Sequence, residues 1–139
     1  MGEILETECK ECKDNRCYFM GVGESCIDTL IKLAAKDYHF LGHSMTKDAF
    51  SRMDAIIQNL SSAPHIHGEL EVQECAACNV TYSHYHVHFE YGEGGYFSSR
   101  EPCKICQGKL IKATKKLDQY CCLNCGKLTL SEGQSGIWD

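Results

Sequence analysis

Cys103-Lys-Ile-Cys106 is followed, after a fifteen-residue gap, by Cys122-Leu-Asn-Cys125-Gly126. A C-x-x-C turn aims two thiolates at one point, and two such turns at this separation read as a zinc site. Four thiolates fill the tetrahedral coordination of zinc, so a site of this kind keeps no open position and holds structure without doing chemistry. Two further turns of the same form, Cys9-Lys-Glu-Cys12 and Cys75-Ala-Ala-Cys78, supply the ligands for a second ion.

Four C-x-x-C units pair in three ways. The first and second are separated by 62 residues, and two doublings of loop length cost only about 1.2 kcal/mol. Loop entropy alone therefore forbids no pairing. The spacing match selects Cys103/Cys106 with Cys122/Cys125, which leaves Cys9/Cys12 with Cys75/Cys78. Cys17, Cys26 and Cys121 remain. Cys121 as a ligand in place of Cys122 would make the second turn C-x-x-x-C, so Cys122 is preferred. Cys17 and Cys26 read as small buried hydrophobes.

Eleven cysteines in 139 residues fit either disulfides in a secreted protein or metal in a reducing compartment. The acidic start, Met1-Gly2-Glu3-Ile4-Leu5-Glu6, has no apolar run suited to a signal peptide, and an odd cysteine count leaves a disulfide framework incomplete. Glu6 stands where a myristoylation motif wants Ser or Thr. Nothing approaches the roughly 20 apolar residues that span a bilayer. A soluble, cytoplasmic zinc protein is the expectation. A composition 43% apolar and 24% charged is ordinary for a globular chain. The net charge of −5, made more negative by about −2 for each tetrathiolate zinc, does not favour nucleic acid.

The elements that must position these turns follow from periodicity. The first segment, Glu3 to Cys17, reads as a short strand leading into the first knuckle, and Gly21-Val22-Gly23 is a permissive turn that can end a returning strand and launch a helix. Helical spacing of Ile27, Leu30, Ile31 and Ala34 predicts a helix from about Cys26 to Lys36. Ala49, Met53, Ile56, Ile57 and Leu60 predict a second over Lys47 to Leu60, capped by Ser44 or Thr46. The period then becomes 2: Leu70 and Val72 alternate with Glu69, Glu71 and Gln73 into the second knuckle. A long strand from Asn79 to Tyr91 carries Tyr85, Val87, Phe89 and Tyr91 on one face and Tyr82, His84, His86 and His88 on the other. Gly92-Glu93-Gly94-Gly95 reads as a linker, dividing the chain into 1–95 and 96–139. Leu110-Ile111, Leu117 to Tyr120 and Lys127 to Leu130 are the expected ribbon strands, and Ser131 to Asp139 is expected to be mobile except where Trp138 finds a surface to cover. The fold class is small α+β: antiparallel strands and knuckles with a two-helix insertion.

The order of knuckle, Phe19-Met20-Gly21-Val22-Gly23 turn, helical insert, strand with second knuckle, and C-terminal ribbon resembles a group of small bacterial double zinc-ribbon proteins of unassigned function. The likeness covers nearly the whole chain and rests on the eight cysteines and the Gly21-Val22-Gly23 turn. The chain departs from that pattern after Cys12 and Cys78, where Lys13 and Asn79 replace Gly. Asn tolerates the left-handed conformation such a turn often needs; Lys tolerates it less readily. The resemblance implies two zinc ions and no activity.

Two other functional readings have residues behind them. His84, His86 and His88, with His65 or His67, offer imidazoles for a hydrolytic zinc with an open position. A solvated strand face accounts for the same pattern. Arg100 to Lys116 holds six basic residues against Glu101 alone, as a nucleic-acid-binding ribbon would. Lys104 and Lys127 also serve to offset thiolate charge, and base stacking would have only Tyr120 to use. The reading preferred over both is a module that binds a protein partner and in which zinc is structural.

Overall fold

A computed structural model of the chain describes residues 2–21, 38, 41–42 and 44–138, with backbone only at 134, 135 and 138. The expected helix over Cys26 to Lys36, and Cys26 itself, lie outside the described residues. Among them is one α-helix, so a two-helix insertion is not what this part of the chain shows. In chain order the elements are β1 (Gly2–Cys9), β2 (Asn15–Gly21), α1 (Lys47–Gln58), β3 (His67–Cys75), β4 (Val80–Tyr91), β5 (Gly95–Ser98), β6 (Ile111–Lys112), a 3-10 turn (Leu117–Gln119) and β7 (Leu130–Trp138).

The chain forms two compact units, one of residues 1–21, 70–84 and 101–139, the other of 22–69 and 85–100. In the first, β1 and β2 form an antiparallel hairpin with Glu8 opposite Asn15, and the Cys9–Cys12 turn closes it. On its other side β1 pairs with β7, Gly2 opposite Trp138 and Cys9 opposite Leu130, with a register shift between Leu5 and Thr7. The C-terminal stretch expected to be mobile is thus a strand. It shows no apolar alternation because its order comes from backbone pairing, and Gly133 lies against Glu6 so closely that a Cβ there would stand 3.4 Å from the Glu6 carbonyl oxygen. The expected strand at Leu117 to Tyr120 is a 3-10 turn instead, and β6 is two residues long.

β3 differs from its expected half-buried form. Glu71, Gln73 and Glu74 are as deeply buried as Val72, and β6 pairs along the strand edge at Gln73 and Glu74. Buried polar groups need partners. The Gln73 amide donates to Glu71 Oε1 at 2.9 Å. Glu74 Oε2 accepts from the Thr114 N–H at 2.9 Å, the Thr114 hydroxyl at 3.1 Å and the Tyr120 hydroxyl. Burial acts to raise the Glu74 pKa, but these donors and the nearby Lys115 charge outweigh it and hold the carboxyl below its usual range.

In the second unit, Thr46 caps α1 by accepting from the Ala49 N–H at 3.2 Å, and Ala49, Met53 and Ile57 form its buried stripe. Met53 and Ile57 pack with Tyr38, Leu41, Ile66, Val87, Phe89 and Phe97. Tyr38 donates to Asp54 Oδ1 at 2.6 Å and accepts from the Gln58 amide at 3.0 Å, tying the helix to the segment before it. β4 and β5 pair antiparallel with Tyr91 opposite Gly95. Gly92 and Gly94 adopt φ of 55° and 77°, so the glycine-rich stretch is a tight hairpin loop rather than a linker. A division at residue 95 would cut this hairpin.

Candidate metal centres

The four knuckles share one backbone design. In three of them the main-chain N–H of the residue after the second cysteine donates to the carbonyl of the first: Lys13 to Cys9 at 2.9 Å, Gln107 to Cys103 at 2.8 Å and Gly126 to Cys122 at 2.8 Å. In the same three, the first cysteine's N–H returns to the carbonyl five residues on: Cys9 to Asp14, Cys103 to Gly108 and Cys122 to Lys127. The residue after the second cysteine is left-handed in all four, with φ of 63° at Lys13, 53° at Asn79, 62° at Gln107 and 74° at Gly126. Only Gly126 adopts this without a Cβ penalty. Asn79 is anchored there: its amide donates to the Gln119 carbonyl at 3.1 Å and approaches Cys121 Sγ at 3.6 Å, while its Oδ1 accepts from Lys115 Nζ at 2.5 Å.

Two sets of four thiols converge, Cys9, Cys12, Cys122 and Cys125 in one and Cys75, Cys78, Cys103 and Cys106 in the other, with all sulfurs of a set within 4.8 Å of one another. The first knuckle therefore closes on the fourth and the second on the third, where spacing had selected first with second and third with fourth. Strand pairing explains the difference. β1 against β7 sets Cys9 opposite Leu130, beside the fourth knuckle. β3 against β6 sets Glu74 opposite Ile111, and the bridge between Pro102 and Lys109 closes the third knuckle next to Cys75.

The geometry suits a tetrahedral ion. A Zn–S bond of about 2.3 Å places sulfurs about 3.8 Å apart at the corners of a tetrahedron. Observed separations are 3.6 Å for Cys9–Cys125, 3.7 Å for Cys12–Cys122, 3.5 Å for Cys75–Cys106 and 4.0 Å for Cys78–Cys103. The two sets are compatible with two zinc ions. Around them, donors face sulfur. Thr129 Oγ1 is 3.0 Å from Cys9 Sγ and Tyr82 Oη 3.4 Å from Cys103 Sγ. The Gly108 N–H donates to Cys106 Sγ at 3.3 Å, and a Cβ on Gly108 would sit 3.1 Å from that sulfur. Lys127 pairs with Glu11 at 3.5 Å, so its charge is shared with an acid beside the first knuckle.

Thiol acidity within each set is split. The Thr129 hydroxyl, with the Cys12 N–H, brings Cys9 down to about 6, and the Asn124 amide lowers Cys12. Burial pushes Cys122, of the same set, up to about 11. In the other set burial would raise Cys103, but the Tyr82 hydroxyl and the Cys106 N–H outweigh it and bring it to about 6. Hydrogen bonding to Cys106, with burial, pushes Cys78 up to about 12. Four thiolates cannot crowd one point unless a cation neutralises them. A bound dication would supply that charge and ionise the remaining thiols.

All eight expected ligands lie in the two sets. Cys122, and not Cys121, is in the first; Cys121 meets Asn79 instead. Cys17, expected to be buried, is exposed. The histidines do not assemble as a third centre: among the described residues, the cysteine sets are the groups of three or more ligands that close on one point. His84 stacks with Tyr82 at 6.1 Å, whereas His86 stacks with His88 at 4.8 Å and His88 with His67 at 5.2 Å. Thr129 and Tyr82 have no spacing signal that would mark them as thiolate donors; Asn124, inside the fourth knuckle, was visible by position. No helix among the described residues is long and apolar enough to cross a membrane. No family model, curated protein or solved structure matches the chain.

Proposed function

We propose that this protein is a two-zinc module, akin to small bacterial double zinc-ribbon proteins, in which both ions are structural and the folded surface docks a protein partner. The closure of each set by four cysteines, with all its sulfurs within 4.8 Å of one another, carries this reading, since no ligand position is left for substrate. Tetrahedral tetrathiolate sites take zinc or iron, and elemental analysis separates the two. Two equivalents of zinc are the expected result; iron, with thiolate-to-metal absorption in the visible, would overturn the assignment.

Partner docking is supported by apolar side chains held outward beside the knuckles. Ile105, inside the third, is 61% exposed, and Leu128, just past the fourth, is 62% exposed. Isolated exposed apolar residues are common, but here rigid metal turns present them. A photo-crosslinking residue at position 105 or 128 should trap a defined protein in cells, and one at Glu93 should not. Equal trapping at all three positions, or none, would refute docking. The nucleic-acid alternative is disfavoured by the same region: Tyr120, its one aromatic, is 1% exposed, and Lys115 is held by Asn79 and by the Tyr120 ring, 4.7 Å from Nζ to centroid.

A further inference from the structure

The first unit contains a cleft of about 310 Å³ whose lining includes Arg16, Tyr82, Ser83, His84, Lys104 and Leu123. That volume is at the lower end of ligand pockets, which run from roughly 300 to 1,000 Å³. At roughly 30 Å³ per water it holds about ten waters, which admits a small metabolite and excludes a dinucleotide. In a chain with net charge −5, the cleft is lined by two cations, an imidazole and several hydroxyls, with no carboxylate.

The polar groups come from three elements. Arg16 is the second residue of β2, and its Nε donates to Asp14 Oδ2 at 2.6 Å, which orients the guanidinium. Lys104 lies in the third knuckle, whose backbone is locked by the Cys103–Gln107 and Cys103–Gly108 hydrogen bonds. Ser83 and His84 are neighbours on β4, and the Ser83 hydroxyl accepts from the Phe19 N–H at 3.4 Å and donates to the Phe19 carbonyl at 3.5 Å. Leu123, from the fourth knuckle, gives an apolar wall. Burial keeps His84 less basic than usual, with Glu101 opposing that effect and Lys104 adding to it. Arginine presents a planar fork to oxyanions and lysine a point charge, a pairing suited to a phosphoryl group.

We propose that this cleft binds a small phosphate monoester, with the phosphoryl group between Arg16 and Lys104, within reach of Ser83 and His84, and the organic body against Leu123. The third and fourth knuckles, one from each cysteine set, contribute a wall residue each, so ligand occupancy would stabilise the arrangement that bound metals would impose. The binding class does not depend on the docking role proposed above, and docking at Ile105 or Leu128 can fail without affecting it.

The test is amide and imidazole NMR of the metal-loaded protein titrated with inorganic phosphate and with phenyl phosphate, against acetate at matched ionic strength. Saturable shifts at Ser83, His84 and Lys104 are expected with both phosphates and not with acetate. Arg16→Gln and Lys104→Gln should each weaken phosphate about tenfold or more, since a charge-assisted hydrogen bond is worth about 1.5–3 kcal/mol. Both side chains are surface-accessible, and an unchanged metal count and spectrum away from the cleft will show that the variants fold. Absence of saturable shifts, equal response to acetate, or full affinity in both variants would each overturn the proposal.

Discussion

Pairs of cysteine substitutions distinguish the crossed arrangement of knuckles from the sequential one. Cys12→Ser with Cys125→Ser removes two ligands from one set and leaves the other intact; Cys12→Ser with Cys78→Ser damages both. The Cys9/Cys12/Cys122/Cys125 set joins residues 110 to 116 apart, and the other set joins residues 25 to 31 apart. The longer span is about two doublings of the shorter, a loop-closure difference of about 1.2 kcal/mol, or somewhat under tenfold in affinity. That is small beside the apparent 10–16 kcal/mol of a structural zinc. Both sites should therefore load fully in the native chain, with the terminal set yielding first, by that modest factor, to a competing chelator. Native mass spectrometry in the presence of free zinc should find two equivalents in the unaltered protein, one in Cys12→Ser/Cys125→Ser and none bound tightly in Cys12→Ser/Cys78→Ser. A tightly held equivalent in Cys12→Ser/Cys78→Ser, with loss of both from Cys12→Ser/Cys125→Ser, would refute the crossed pairing.

Two further outcomes follow from the knuckles. Lys13→Gly and Gln107→Gly should each stabilise the protein by about 0.5–1 kcal/mol, as relief of about 1–2 kcal/mol of left-handed strain exceeds the entropic penalty of about 0.5–1 kcal/mol for glycine; Asn79→Gly should destabilise, because it deletes the contacts to Gln119, Cys121 and Lys115, and thermal unfolding of the three variants checks the signs. Metal uptake at neutral pH should release protons, because Cys78 near 12 and Cys122 near 11 hold theirs until a cation binds; affinity should fall as pH falls, and calorimetry in buffers of different ionisation enthalpy measures the release.

How much of this was legible in the sequence depends on the range of the interaction. The knuckles are local, so their cysteines, the left-handed positions at Lys13 and Asn79, and the capped stripe of α1 from Thr46 to Ile57 could be read from the sequence. The fate of Glu71, Gln73 and Glu74 could not. Glu71 and Gln73 alternate with Val72 as on a strand with one wet face, whereas the burial of all three polar residues comes with partners distant in sequence: β6, nearly forty residues on, pairs at Gln73 and Glu74, and Thr114 and Tyr120 reach Glu74. The β7 strand was hidden for a related reason. Ser131, Glu132, Gly133 and Gln134 carry no apolar signal, because what orders them is a backbone ladder to β1.

That ladder also decides the metal sites. Spacing favours the two knuckles nearest in sequence, but the loop-length preference is worth only about 1 kcal/mol, less than a few backbone hydrogen bonds at about 1 kcal/mol each. The ladder runs along β1 from Gly2 to Cys9, with seven registered pairs to β7. Its last pair, Cys9 with Leu130, lies five residues past the end of the fourth knuckle, and the Lys10 N–H continues it back to the Thr129 carbonyl at 2.9 Å. Thr129 then reaches Cys9 sulfur with its hydroxyl. Sheet register and metal ligation thus select the same partner for the first knuckle. The second and third are left to each other, drawn together by β3 and β6.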